Sequence, residues 1–140
     1  MVLRLVGSEM CIRDSNLGAD TNSSNLKNNY GVVKSWDYFS NSYKSTGTQY
    51  CGLIMGDHSK SGINTMFNTG SVVGVFANIY DAGFPPKFIP SFSWGGKSGF
   101  VKNEFKKAIE VAKTVMGRRN VVLDKKTIEI YKKIHDIIGS

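Results

Sequence analysis

Residues 55–79, which read MGDHSKSGINTMFNTGSVVGVFANI, carry the pattern that decides the fold. Divided into sixes, the stretch repeats an apolar first residue, a glycine or asparagine second and a small residue fifth. The first positions are Met55, Ser61, Phe67, Val73 and Ile79, the second are Gly56, Gly62, Asn68 and Gly74, and the fifth are Ser59, Thr65, Ser71 and Ala77. This is a hexapeptide repeat, in which Ser61 is the one polar residue of the apolar column.

Each six residues of such a repeat form one short strand and one turn. The first residue is expected to point inward, and the second, Asn68 included, to take the positive φ that glycine and asparagine tolerate. The fifth is expected to be small because it packs inside a narrow prism. The sequence therefore predicts a β-solenoid, a parallel β-helix of hexapeptide repeats, and an irregular glycine-rich sheet is the alternative interpretation.

Three hexads make one triangular coil, so residues 55–79 cover little more than one. Solenoid coils bury their faces only against neighbouring coils, and further coils are expected before this stretch. Residues 16–19 are interpreted as the last part of one, and segment 36–48 as an inserted polar and aromatic loop. The predicted organisation is an adapter-like segment at 1–15, a β-helix fragment at 16–96 with an inserted loop at about 35–48, and a helical extension at 97–140.

The C-terminal extension is predicted to form two helices. Apolar residues recur there at spacings of three and four, first at Val101, Phe105, Ala108, Ala112 and Val115 and then at Ile128, Tyr131, Ile134 and Ile138. Asp124 is the predicted N-cap of the second helix, and Gly139 its predicted end. The net charge of +7 lies mostly in this extension. Because the lysines fall off the apolar stripes, a solvated helix face is favoured over an anion-binding patch.

Residues 1–15, MVLRLVGSEMCIRDS, resemble the in-frame translation of a transposase adapter used in sequencing libraries. Their apolar stretch is broken by Arg4 and is too short for a signal peptide. We expect this segment to be foreign to the natural protein, whose own sequence would begin before Asn16. Setting it aside removes Cys11, and Cys51 then has no partner for an intramolecular disulfide.

Composition excludes several classes of protein. With 41% apolar and 21% charged residues, the chain is neither a disordered tail nor a fibrous repeat. No apolar run approaches the roughly 20 residues of a membrane span, so no membrane partner is expected. Cys51 has no histidine or cysteine at ligand spacing, which predicts no metal site. The aromatic residues and lysines between 27 and 44 are interpreted as a covering loop, and no nucleic-acid partner is expected.

Two strings are more specific than the repeat, GDHSKSGINTMFNTG at 56–70 and PSFSWGG at 90–96. Together with their flanks they resemble the C-terminal left-handed β-helix of bacterial sugar nucleotidyltransferases. The likeness is to proteins similar to the bifunctional UDP-N-acetylglucosamine pyrophosphorylase and glucosamine-1-phosphate N-acetyltransferase, in a form ending in two helices. It covers Asn16–Ser140. Left-handedness is implied by this resemblance alone, since the usual rule for parallel crossovers predicts the opposite hand.

The resemblance implies that the chain is a C-terminal fragment of a cytoplasmic enzyme of sugar-nucleotide biosynthesis. A nucleotidyltransferase domain, with its magnesium-binding aspartates, would precede Asn16, so magnesium is expected only there. The β-helix is expected to form a homotrimer, to bind acetyl-CoA between subunits and to N-acetylate an amino-sugar phosphate. The alternative is a structural, trimerising β-helix module without acyltransferase activity.

The resemblance also implies site residues. Residues 18–26, GADTNSSNL, match a family segment G-A-G-T-x-x-C-N-Y, which makes Asn25 a residue near the acetyl group although Leu26 replaces the tyrosine. Residues 62–65 match a stretch whose hydroxyl lines the acetyl-CoA groove, so Thr65 is the second candidate. The family's catalytic histidine would precede Asn16.

The two histidines of the chain receive different interpretations. His58 is a weak candidate for a general base, or for an imidazole bound to Asp57 or a substrate phosphate. Its alternative is an exposed turn histidine, since the fourth position of a hexad is expected to point outward. His135, beside the apolar stripe of the last helix, is expected to be structural.

Overall fold

The computed structural model describes residues 14–138, so Gly139 and all but the last two residues of the adapter-like segment lie outside the described part. Within that part the chain forms twelve short strands and two helices. These are β1 (Asn16–Leu17), β2 (Asn22–Ser23), β3 (Lys34–Asp37), β4 (Ser42–Ser45), β5 (Ile54–Met55), β6 (Lys60–Ser61), β7 (Met66–Phe67), β8 (Val72–Val73), β9 (Asn78–Ile79), β10 (Phe88–Ile89), β11 (Ser93–Gly96), β12 (Gly99–Lys102), α1 (Phe105–Gly117) and α2 (Lys125–Ile138).

The repeat region forms parallel sheets with a regular register. Lys60 pairs with Asn78 and Ile54 with Val72, in each case a spacing of 18 residues. One sheet contains β5, β8 and β10, a second β1, β6, β9, β11 and β12, and a third β2 and β7. From β5 to β9, successive strands therefore fall in the three sheets in rotation. The prediction of short parallel strands followed by two helices is confirmed.

The first position of each hexad forms the core, as predicted. Its five side chains are all buried, with exposed fractions of 5% or less, in Met55, Ser61, Phe67, Val73 and Ile79. Ile89 extends the same column and is fully buried. The polar member of the column is accommodated by hydrogen bonds, since Ser61 Oγ lies 3.2 Å from Thr21 Oγ1 and accepts from Gly18 N.

The fifth position is buried as predicted, and its hydroxyl groups also bind backbone. Thr65 donates to the carbonyl oxygen of Gly62 at 2.8 Å, and Ser71 donates to that of Asn68 at 2.7 Å. The same bond to the residue three before is made by Thr21. A buried carbonyl without a partner costs about 1–3 kcal/mol, so these hydroxyls stabilise the turns as well as fitting the narrow interior.

The prediction that second-position residues take a positive φ is wrong. Within the repeat, residues 55–79, the left-handed conformation falls on the fourth position, with φ of 57°, 57°, 64° and 55° at His58, Asn64, Gly70 and Phe76. Asn68 is not among the residues with positive φ. At two of the second positions glycine is required for space, because a Cβ on Gly74 would lie 2.4 Å from the backbone nitrogen of Ser91 and one on Gly56 would lie 2.8 Å from the backbone of Gly74.

The helices pack on one corner of the sheets through aromatic rings. Phe76 stacks on Phe92 with ring centroids 4.9 Å apart, and Tyr131 of α2 meets Phe76 edge-on at 4.8 Å. The predicted N-cap is confirmed, since Asp124 Oδ1 accepts from Thr127 N at 2.7 Å. Val101 was predicted to begin the first helix and instead lies in β12, because that segment returns as an antiparallel partner of β11.

The inserted segment forms an antiparallel hairpin of β3 and β4. Trp36 of this hairpin stacks on Phe88 of β10, with centroids 4.2 Å apart and planes 8° apart. Lys87 donates to the carbonyl oxygen of Lys34 at 2.8 Å. The hairpin is thus fastened to the outer face of the sheet that contains β5, β8 and β10.

Substituting the second-position glycines tests their spatial role. Gly74→Ala places a methyl group against the backbone of Ser91, and we expect it to lower the free energy of unfolding by about 1–3 kcal/mol, the usual range for overpacking. Gly62→Ala is the control, since its Cβ would find its nearest neighbour at 3.6 Å. Urea unfolding should show a clearly smaller loss for the control, and equal losses would contradict the packing explanation.

Candidate functional site

A cavity of about 350 Å³ lies between the outer face of the five-stranded sheet and α1; we call it the helix-side cavity. Its sheet wall consists of Lys60, Asn78 and Trp94, one from each of three neighbouring strands. Its remaining walls come from the turns and the helix region, namely His58, Phe76, Asn103, Lys107, Ala108, Glu110 and Val111. Its size lies within the range of small-molecule sites.

The sheet wall of this cavity follows directly from the register. Lys60 pairs with Asn78 and Asn78 with Trp94, so the three side chains form one row across β6, β9 and β11. Their chain neighbours Ser61 and Ile79 are buried in the core. Because alternate residues of a strand point to opposite faces, the row points outward, toward α1.

Lys60 is a partly buried ammonium at one end of this row. Desolvation lowers its pKa below 10.5, and the Asp14 carboxylate opposes that shift. The charged form is therefore less favourable here than in water. Such a group can take up an anionic ligand, since a negative charge would compensate for the lost hydration.

His58 lies at the floor of the helix-side cavity and is not exposed. The expectation that the fourth position points to solvent is wrong here, because α2 covers this corner and leaves His58 only 2% exposed. Its ring stacks on Phe76 at 4.7 Å and meets Tyr131 edge-on at 5.7 Å. The role of His58 as a general base stays a prediction, and it would have to act from beneath these rings.

A second cavity, of about 370 Å³, is polar and lies beside Asn25; we call it the Lys27 cavity. It is lined by Ser24, Leu26, Lys27, Asn28, Asn29, Asn68 and Thr69. Asn25 is exposed, and its carbonyl oxygen accepts from Cys51 N at 2.9 Å. Asn25 itself is not part of the lining, although its chain neighbours Ser24 and Leu26 are.

Asn25 and Thr65 flank the same two-stranded sheet. Strands β2 and β7 pair with Asn22 opposite Met66. Thr65 is therefore level with Thr21, four residues before Asn25. Four residues span at most about 14 Å, which is within reach of one extended ligand. Thr65 itself is 2% exposed.

Two further predictions concern metal binding and His135: the sequence predicts no metal site and a structural role for His135. Among residues 14–138 no three histidine, cysteine or acidic side chains cluster in a way that could hold a metal ion. His135 Nε2 lies 3.2 Å from the carbonyl oxygen of Asn103, and its ring packs edge-on against Phe92 at 4.9 Å. These contacts place it in the helix–sheet packing.

Sequence reasoning missed the helix-side cavity. The signal that could have found it is the sixth position of the hexads, where Lys60 and Asn78 lie 18 residues apart. That spacing predicts neighbouring side chains on one outer face. The opposite wall of the cavity could not be predicted from this spacing, because it depends on where α1 packs.

Comparisons with known proteins do not assign the chain to a family. No protein-family model matches the sequence. No curated protein matches it either. Neither α1 nor α2, the helices of the described part, has the length and apolar content needed to cross a membrane.

The desolvation of the Lys60 ammonium predicts how the free energy of unfolding depends on pH. Because its pKa is lower in the folded protein than in the unfolded chain, the unfolded state binds more protons and stability rises with pH up to about 10.5. Lys60→Met should therefore increase the free energy of unfolding at pH 7, and the gain should disappear above pH 10.5. Lys113→Met, on the exposed surface of α1, is the control. A loss of stability in Lys60→Met, measured by urea titration at both pH values, would contradict this.

Proposed function

We propose that Asn16–Gly96 is a left-handed parallel β-helix belonging to a protein of the sugar nucleotidyltransferase type, and that it binds acetyl-CoA. The observation that carries the proposal is the rotation of successive strands through three parallel sheets with an 18-residue register. This is the spacing expected when three hexads complete one triangular coil. The hand of the helix rests on the resemblance of the GDHSKSGINTMFNTG and PSFSWGG strings to that family.

The acetyl-CoA site is proposed along the outer edge of the β2–β7 sheet. Asn25 offers an exposed amide there, and Lys27 lines the adjoining polar cavity. Lys27 also lies close enough to Lys87 to lower the pKa of that residue, after the larger effect of desolvation. Two neighbouring ammonium groups suit the phosphates of a coenzyme, and the amide suits a carbonyl.

The chemistry proposed for the full protein is acetyl transfer to an amino-sugar phosphate. Acetyl-CoA supplies a thioester, whose carbonyl carbon is attacked by the amine nitrogen while a base takes the proton that the nitrogen loses. The C–N bond of the amide forms, the C–S bond breaks, and CoA leaves as a thiolate that is protonated to the thiol. In this chain Asn25 would orient the acetyl carbonyl, and the lysines would hold the coenzyme. The proposed setting is the cytoplasm, with a nucleotidyltransferase domain supplying the magnesium-dependent step.

A structural module without acyl transfer is the second candidate, and specific contacts favour it. The Thr65 hydroxyl is buried and donates to Gly62 rather than facing a groove. Leu26 stands where the family has a tyrosine, and its backbone forms a bridge to Tyr50. In this alternative the β-helix serves assembly, and acetyl-CoA does not bind.

Calorimetric titration with acetyl-CoA distinguishes the two functions. We expect binding to the full chain, weakened by Asn25→Ala by about tenfold, which corresponds to about 1.4 kcal/mol. Asn41→Gly, a change at the exposed hairpin turn that keeps the left-handed backbone, should bind as the parent does. Absence of heat at millimolar acetyl-CoA would exclude the acyltransferase function and leave the structural module.

Assembly is tested separately. Ile63 and Tyr80 are 71% and 50% exposed beside one corner of the sheets, an apolar pair that a second copy could cover. We expect the full chain to sediment at about three times its 15.4 kDa mass and Ile63→Asp to shift it to the monomer. Val122→Asp, at an 86% exposed site between the helices, is the control. A folded monomer of the parent chain would contradict the trimer.

A further inference from the structure

The helix-side cavity contains polar side chains that the fold does not use. Lys60, Asn78 and Asn103 line it, and their side chains make no hydrogen bond or ion pair to any residue between 14 and 138. Lys107, on the opposite wall, is already paired with Glu104 at 2.9 Å. The ammonium and the two amides therefore keep hydrogen-bonding capacity for a ligand.

An aromatic surface completes this wall. Trp94 lies at the other end of the row from Lys60 and is 46% exposed. Tyr80 supports it edge-on, with centroids 5.9 Å apart. An exposed indole held from one side can stack on a planar ring.

The spacing of these groups limits the ligand. Trp94 and Lys60 belong to strands that are two apart in the sheet, so their backbones are separated by about 10 Å. Asn78 lies between them. A ligand that uses all three therefore has a planar ring at one end and an anionic group at the other, with polar atoms in between.

We propose that the helix-side cavity binds a nucleoside monophosphate, free or as part of a larger ligand. The base stacks on Trp94, Asn78 and Asn103 bind its polar atoms or the ribose hydroxyls, and Lys60 binds the phosphate. Glu110 is the acidic residue in the cavity lining. Asp14 lies outside the lining but acts on Lys60, since its carboxylate opposes the lowering of the Lys60 pKa by desolvation, and it is itself paired with Arg119 at 3.2 Å. This site is distinct from the groove proposed for acetyl-CoA and does not depend on it.

Tryptophan fluorescence measures the binding directly. The chain contains two tryptophans, so Trp36→Phe leaves Trp94 as the sole reporter and keeps an aromatic ring against Phe88. In this background, adenosine or uridine 5′-monophosphate should quench the emission saturably. Adenosine and inorganic phosphate, which each supply half of the ligand, should bind at least about tenfold more weakly. Absence of saturable quenching by both nucleotides at millimolar concentration would overturn the proposal.

Variants of the row test its geometry. Lys60→Met removes the charge and keeps the aliphatic stem, and Asn78→Asp places a carboxylate where the phosphate ester would pass. We expect each to raise the dissociation constant at least about tenfold, whereas Lys113→Met on the exposed side of α1 should change it less than twofold. Circular dichroism checks that each variant is folded. Wild-type affinity in a folded Lys60→Met or Asn78→Asp protein would overturn the assignment, and if one does not fold the other decides.

Discussion

Close contact between the backbones of successive parallel strands is the constraint on which this structure depends. Adjacent strands lie about 4.8 Å apart, and at the corners the backbones approach so closely that a Cβ on Gly18 would lie 2.4 Å from Gly62. Glycine is required there for space. The carbonyl oxygens of the same corners are bound by fifth-position hydroxyls such as that of Thr65. Spacing and hydrogen bonding together keep every first-position side chain directed into one narrow core.

Once the core is filled in this way, the properties of the molecule depend on what covers each outer face. The β3–β4 hairpin covers one face, where Trp36 stacks on Phe88. The two helices cover a corner, where Phe76 and Phe92, both in the left-handed conformation, stack on each other and Phe76 meets Tyr131 edge-on. The row that contains Lys60 is covered only in part by α1, and the resulting cavity keeps polar side chains that bond to no other residue of the described part.

The packing of α2 also determines the environment of His58, which is buried. A left-handed fourth-position residue on an uncovered corner would point into solvent. Here α2 lies over that corner, so the imidazole packs against the rings of Phe76 and Tyr131. It also forms part of the floor of the helix-side cavity. Coverage by a neighbouring element, rather than position within the repeat, decided whether this residue is exposed.

The sequence by itself determined the strands, the inward column, the small fifth position and the two helices, because each depends on a local period of six or on spacings of three and four. It also identified the N-cap at Asp124. Only the tertiary structure decided why the second position is glycine, where Val101 lies and how His58 is buried, since these depend on backbones and helices distant in sequence. For the candidate sites, the sequence named Asn25 and Thr65 by resemblance, and the register brought them to one sheet. The cavity between Lys60 and α1 required the packing of a helix against a strand, β6, that lies more than 40 residues before it in the chain, which no local period encodes.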